Sequence, residues 1–115
     1  MINYDCIYNL EEFSFIGGTT QYLFFDVYNS GGDAVDLSEA ICSWRLREYG
    51  NFGNNATLIT KTGVLTGFNS FKITIFNTDT TGLFGKFVQQ PMVVDRDDNV
   101  FSPGQGIILI SKAIN

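Results

Sequence analysis

At 115 residues, with a formal net charge of −5 and no histidine, the chain has the length of one domain. Such a domain buries roughly two thirds of the surface its unfolded form exposes. Its seven basic residues are scattered along the sequence, which argues against nucleic acid or an anionic membrane as partner, since either needs a basic patch.

Eleven Phe and five Tyr supply core material, and twelve Gly against two Pro point to tight turns instead of a disordered tract. Residues 1–5 lack the basic start of a secretory signal, and no apolar run is long enough to span a bilayer. In residues 1–11, Ile2, Tyr4, Cys6, Tyr8 and Leu10 occupy every even position. This is an extended arm with one apolar stripe, which either begins the chain's own sheet or adds as a strand to a neighbouring subunit. Cys6 and Cys42 read as two reduced thiols, a bridge between them being the other possibility.

Residues 12–16 form a short strand with Phe13 and Phe15 on one face, ended by Gly17-Gly18. Residues 20–28 form the next, with Leu23, Phe25 and Val27 on one face and Tyr22, Phe24 and Tyr28 on the other. The cluster 29–33 has the glycines of a hairpin turn. A turn on Asp36 and Ser38 then leads into a strand that alternates without error: Ala40, Cys42, Trp44 and Leu46 against Ser43, Arg45 and Arg47. Trp44, the sole tryptophan, lies at mid-strand on the apolar face and is expected at the centre of the core. After a polar loop at 49–55, residues 57–62 read as a strand and 63–69 turn back. In 70–76, Phe71, Ile73 and Ile75 point inward. Residues 77–82 connect onward through one short helical turn. The strand at 86–95 carries Pro91, which lacks a ladder donor and so predicts an edge or a bulge. A turn at 96–99 precedes the last strand, 106–111. No stretch holds a helical period and no segment repeats. The fold class is therefore all-β: a single antiparallel sandwich of about seven or eight strands over 12–115, preceded by the arm or extra strand 1–11.

A search for chemistry finds no site. The missing histidine removes the commonest general base and zinc ligand and leaves a Ser or Cys nucleophile without its usual activator. Glu11 and Glu12, adjacent on a strand, point to opposite faces and cannot flank one glycosidic bond; Glu39 and Glu48 read as solvated. The turn 95–99 starts like a calcium loop, but Val100 and Gly106 stand where an EF-hand needs Gly and Glu, and Arg96 adds a positive charge. Gly104-Gln105-Gly106 lacks the third glycine and the helix of a dinucleotide site. Asn55-Ala56-Thr57 matches a glycosylation acceptor that means little without a secretion signal. No catalytic residue, cofactor or metal is expected. What stands out is surface: Tyr22, Phe24 and Tyr28 leave the second strand large on both faces, and residues 107–110 have no polar face. Either loops or the arm cover these side chains within the monomer, or they mark a protein–protein contact.

Several short motifs follow one another in a recognisable order: Phe13-Ser14-Phe15-Ile16-Gly17-Gly18-Thr19, Val35-Asp36-Leu37-Ser38 and Trp44-Arg45-Leu46-Arg47, then Thr78-Asp79-Thr80 before Gly85-Lys86-Phe87. Val94-Asp95, Asn99-Val100 and Gly104-Gln105-Gly106-Ile107 complete the series. From about Phe13 to Lys112 the chain resembles the immunoglobulin-like N-terminal domain of tailed-phage baseplate upper proteins and related virion modules. That resemblance implies an immunoglobulin-like β-sandwich that anchors virion parts to one another, with no catalytic residues to carry over. The chain departs from the family by Gly17-Gly18, where an acidic residue tends to follow the glycine, and by ending at Asn115 where the family continues. Capsid decoration and tail or collar adaptor therefore join baseplate among the implied roles.

The expectation is a non-enzymatic structural protein of a virion, made in the host cytoplasm, present in many copies and docking on other phage virion proteins. The contact residues expected are Tyr4, Tyr8, Tyr22, Phe24, Tyr28 and Ile108. The alternative is a carbohydrate-binding module that grips host-surface glycans on Tyr49 and Phe52 of the 49–55 loop, since sandwiches host both functions.

Overall fold

Alternating apolar side chains build two layers, each burying one face against the other. The computed structural model describes residues 9–50 and 57–114. Their strands are β1 (Asn9–Ile16), β2 (Gln21–Asp26), β3 (Ile41–Glu48), β4 (Thr57–Thr62), β5 (Val64–Leu65), β6 (Ser70–Ile75), β7 (Gly85–Val94), β8 (Val100–Phe101) and β9 (Gln105–Ser111), with one 3-10 turn at Asn77–Asp79. The larger sheet runs β1-β9-β7-β3-β4, with β8 also on β7, and the smaller runs β2-β6-β5. Strands β9, β7 and β3 follow the G-F-C order of an immunoglobulin-like sandwich, β4 extends that sheet, and β2-β6-β5 follow the opposing B-E-D order.

The first strand departs from the expected antiparallel arrangement. β1 pairs in parallel with β9, Phe13 beside Ile108 and Phe15 beside Ile110, while the other strand pairs are antiparallel. Because β1 starts at Asn9, residues 9–11 of the expected arm belong to the sheet; residues 1–8, with Tyr4 and Tyr8, lie outside the described residues. The cluster 29–33 does turn, with Asn29 Oδ1 accepting the N–H groups of Gly31 and Asp33 and Tyr28 bridging Ala34. It does not join two strands of one sheet, however, since β2 and β3 lie in opposite layers. Gly63, the single residue between β4 and β5, makes another crossing between the layers. Its N–H donates to Cys42 O at 2.7 Å, and a Cβ there would sit 2.8 Å from Phe71 Cδ2, so only glycine fits.

The inner faces match the alternation: Leu23, Phe25 and Val27 of the second strand region, Cys42, Trp44 and Leu46 of β3, and Phe71, Ile73 and Ile75 of β6 are all buried. Trp44 Nε1–H donates to the buried Gln89 Oε1 at 2.8 Å, which gives both polar groups a partner inside the core. Pro91 is neither on an edge strand nor at a bulge, since β7 is interior and its pairing to β3 is unbroken through Trp44–Pro91. It is tolerated because the β9 pairing ends at Gln89 and the β8 pairing begins at Val93. In that gap no ladder donor is needed from residue 91, and Ser102 Oγ donates to the Pro91 carbonyl. Ile108, expected at a contact surface, is 0% exposed. It faces inward between Phe13 and Phe87, and the outward residues of β9 are Ile107 and Leu109.

The connector after β6 is tied down by Asp79, whose Oδ2 accepts the Phe76 N–H and pairs with Lys61 Nζ, both at 2.7 Å. Burial works against the Asp79 charge, but the Lys61 and Phe76 hydrogen bonds outweigh it and hold the carboxyl below its ordinary value. A carboxyl lowered on folding adds stability that is present above its unfolded pKa of about 4 and is lost as pH falls through the folded value. Asp79→Asn should therefore lower the denaturant midpoint near neutral pH and shrink the drop on acidification. An unchanged acid profile in that variant would show that the pair contributes nothing.

Candidate protein-contact surface

The smaller sheet turns an aromatic face to solvent. Tyr22 and Phe24 of β2 are 56% and 68% exposed, and Tyr28, just past the strand, is 53% exposed. Phe24 stands opposite Lys72 of β6, which stands opposite Val64 of β5, so one row crosses the sheet as aromatic, cation and aliphatic. Lys72 Nζ lies 5.6 Å from the Tyr22 ring centroid, within reach of a cation–π attraction. Asp26, on the same outer face, accepts a hydrogen bond from Ser70 Oγ at 2.6 Å. The face thus sets Tyr22, Phe24 and Val64 among the polar Ser70 and Thr74, with Lys72 near its middle and Asp26 at one end.

Of the six expected contact residues, Tyr22, Phe24 and Tyr28 reach this surface, Ile108 does not, and Tyr4 and Tyr8 lie outside the described residues. Val64 was missed, because a two-residue strand after a glycine carries no alternation to read. A second apolar row was missed on the larger sheet, where Ile41, Val94 and Val100 stand side by side on β3, β7 and β8. Its signal was available, since Ile41 is an apolar residue on the opposite parity from Trp44.

Among the described residues no cluster of three or more acidic, Cys or His side chains is placed to hold a metal ion. Asp95, the first residue of the calcium-like turn, spends its Oδ1 on the N–H groups of Asp97 and Asn99, both at 2.9 Å. The Asn99 N–H is the main cause of its lowered pKa. Cys42 is a free thiol, and burial pushes it up to about 11, where it is inert as a nucleophile. A cleft of about 380 Å³ between Gly17-Gly18, Leu83-Phe84 and Lys112 has Lys112 as its one charged residue, whose Nζ sits 5.8 Å from the Phe84 ring centroid. Of the pair proposed to grip glycans, Phe52 lies outside the described residues, and Lys86 Nζ, 4.0 Å from the Tyr49 ring centroid, occupies a face of that ring.

No family model and no curated protein matches the chain. Among solved structures it is similar to CopC from Methylosinus trichosporium OB3b, with a TM-score of 0.51 and 10% identity over 90% of this chain and 87% of that one. It also aligns with murine CRIg, with a TM-score of 0.46 and 8% identity over 91% and 94% of the two chains. At such identities the likeness concerns the fold alone.

Proposed function

We propose that this chain is a non-enzymatic structural component of a tailed-phage virion. In this reading it is an immunoglobulin-like module, present in many copies, that docks on other virion proteins as a baseplate or tail adaptor or a capsid decoration. The ordered motifs from Phe13 to Lys112 support the phage setting. The observation that carries the docking role is the pair Tyr22 and Phe24, large aromatics side by side on the outer face of a strand whose inner face already fills the core. The described residues form two sheets and no third layer over them, and exposed aromatics are enriched where proteins meet.

The test is localisation of the chain in purified particles by mass spectrometry and electron microscopy, with Tyr22→Ser/Phe24→Ser as the variant. Both residues are exposed, so the variant should melt like the parent, within the small range of surface substitutions, and yet be lost from particles. Normal incorporation would overturn the docking role. Glycan binding by the purified chain that depends on Tyr49 would favour a carbohydrate module instead.

A further inference from the structure

The open edge of β2 carries information beyond its exposed aromatics. Within the smaller sheet β2 is hydrogen-bonded to β6 on one side, and among the described residues no strand pairs with its other side. In an antiparallel pair, each residue directs both its N–H and C=O to the same neighbour, and successive residues alternate between neighbours. Val27 N–H donates to Asn69 O at 2.8 Å, so the odd-numbered residues of this strand face β6. Tyr22, Phe24 and Asp26 therefore point their backbone groups at the open edge. Soluble proteins blunt such edges with proline, bulges or charge. β2 has no proline, an unbroken register from Gln21–Ile75 to Asp26–Ser70, and Asp26 as its single charged residue.

We propose that two copies of this chain join β2 to β2, antiparallel, about a two-fold axis at Phe24, fusing their smaller sheets into one six-stranded sheet. The proposal rests on the reading of Tyr22 and Phe24 as contact residues, and names a second copy as what they meet. Only registers that pair even-numbered residues bring the open backbone groups together and keep outer faces on one side. In the register centred on Phe24, Phe24 faces its own copy, and Tyr22 faces the partner's Asp26. About six main-chain hydrogen bonds then form, two for each facing pair. The charges complement each other in the same register. Lys72 lies beside Phe24 and over Tyr22, so the partner's Asp26 arrives next to its ammonium, and the two-fold axis repeats this contact. Shifting the centre to Leu23 would leave Asp26 beyond the pairing and lose both contacts.

Sedimentation of the full chain over a range of concentrations tests this. A concentration-dependent dimer is expected. Phe24→Lys, which sets two ammonium groups face to face on the axis, should leave a monomer that melts like the parent at concentrations where the parent is itself monomeric. Asp26→Lys should weaken the dimer roughly a hundredfold through two like-charge contacts with Lys72, and adding Lys72→Glu should restore most of that loss. A chain that stays monomeric, or a dimer that Phe24→Lys leaves intact, would overturn the pairing. If the chain is monomeric while Tyr22→Ser/Phe24→Ser still drops out of particles, the docking role stands and only the self-pairing falls. A dimer of the expected charge dependence whose Tyr22→Ser/Phe24→Ser variant enters particles normally would uphold the pairing and remove the docking role.

Discussion

Trp44→Ala should destabilise the fold by about 3–5 kcal/mol, the range for removing a buried large aromatic. Trp44 is fully buried at the middle of β3, between β4 on one side and β7 on the other. Two losses combine in the substitution. The first is packing, since a cavity opens between sheets that cannot close up around it. The second is polar: Gln89, itself 4% exposed, loses the indole N–H bonded to its Oε1, and an orphaned buried acceptor costs about 1–3 kcal/mol. Trp44→Phe separates the two, because it keeps much of the ring volume but not the donor. If the polar part is real, adding Gln89→Leu to Trp44→Phe should recover some of its loss. Denaturant melts decide the matter, and a cost for Trp44→Ala below about 1 kcal/mol would contradict the burial of this side chain.

The side chains that alternate were legible from the sequence because the period of two survives in any register. Trp44, Leu23, Phe71 and their in-phase neighbours therefore fell on the inner face as expected. What escaped was set by pairing over long sequence separations. The parallel bond of β1 to β9 joins residues at opposite ends of the chain, and no turn announces it. Gln89 and Gln90 look identical in the sequence, yet the register sends Gln89 to Trp44 in the core and Gln90 outward opposite Arg45. Pro91 was read as an edge signal because the gap between β8 and β9 that accommodates it lies on other strands. The candidate contact surface was half legible: an apolar residue out of phase with its strand's core face, such as Tyr22 or Phe24, can be read directly, whereas its row-mates Lys72 and Val64 depend on register.

Residues 107–110 show the limit of that reading, and they supply a second large effect. With Ile107, Ile108, Leu109 and Ile110 in succession there is no polar residue to set the phase, so the choice of Ile108 as a surface residue had no anchor. The phase comes instead from β1 and β7, which place Ile108 between Phe13 and Phe87. Ile108→Ala should accordingly cost about 2–5 kcal/mol, as truncation of a fully buried Ile does. Phe24→Ala removes a larger side chain, but one that is 68% exposed, and should stay within about 0.5 kcal/mol of the parent. The two substitutions should also divide by phenotype. Ile108→Ala should lower the midpoint of unfolding while leaving the Tyr22–Phe24 surface able to bind. Phe24→Ala should leave the midpoint of the dilute, monomeric chain in place while weakening association. Similar stability losses for both would mean that Phe24 is covered within its own chain, and would move the contact surface to the row of Ile41, Val94 and Val100.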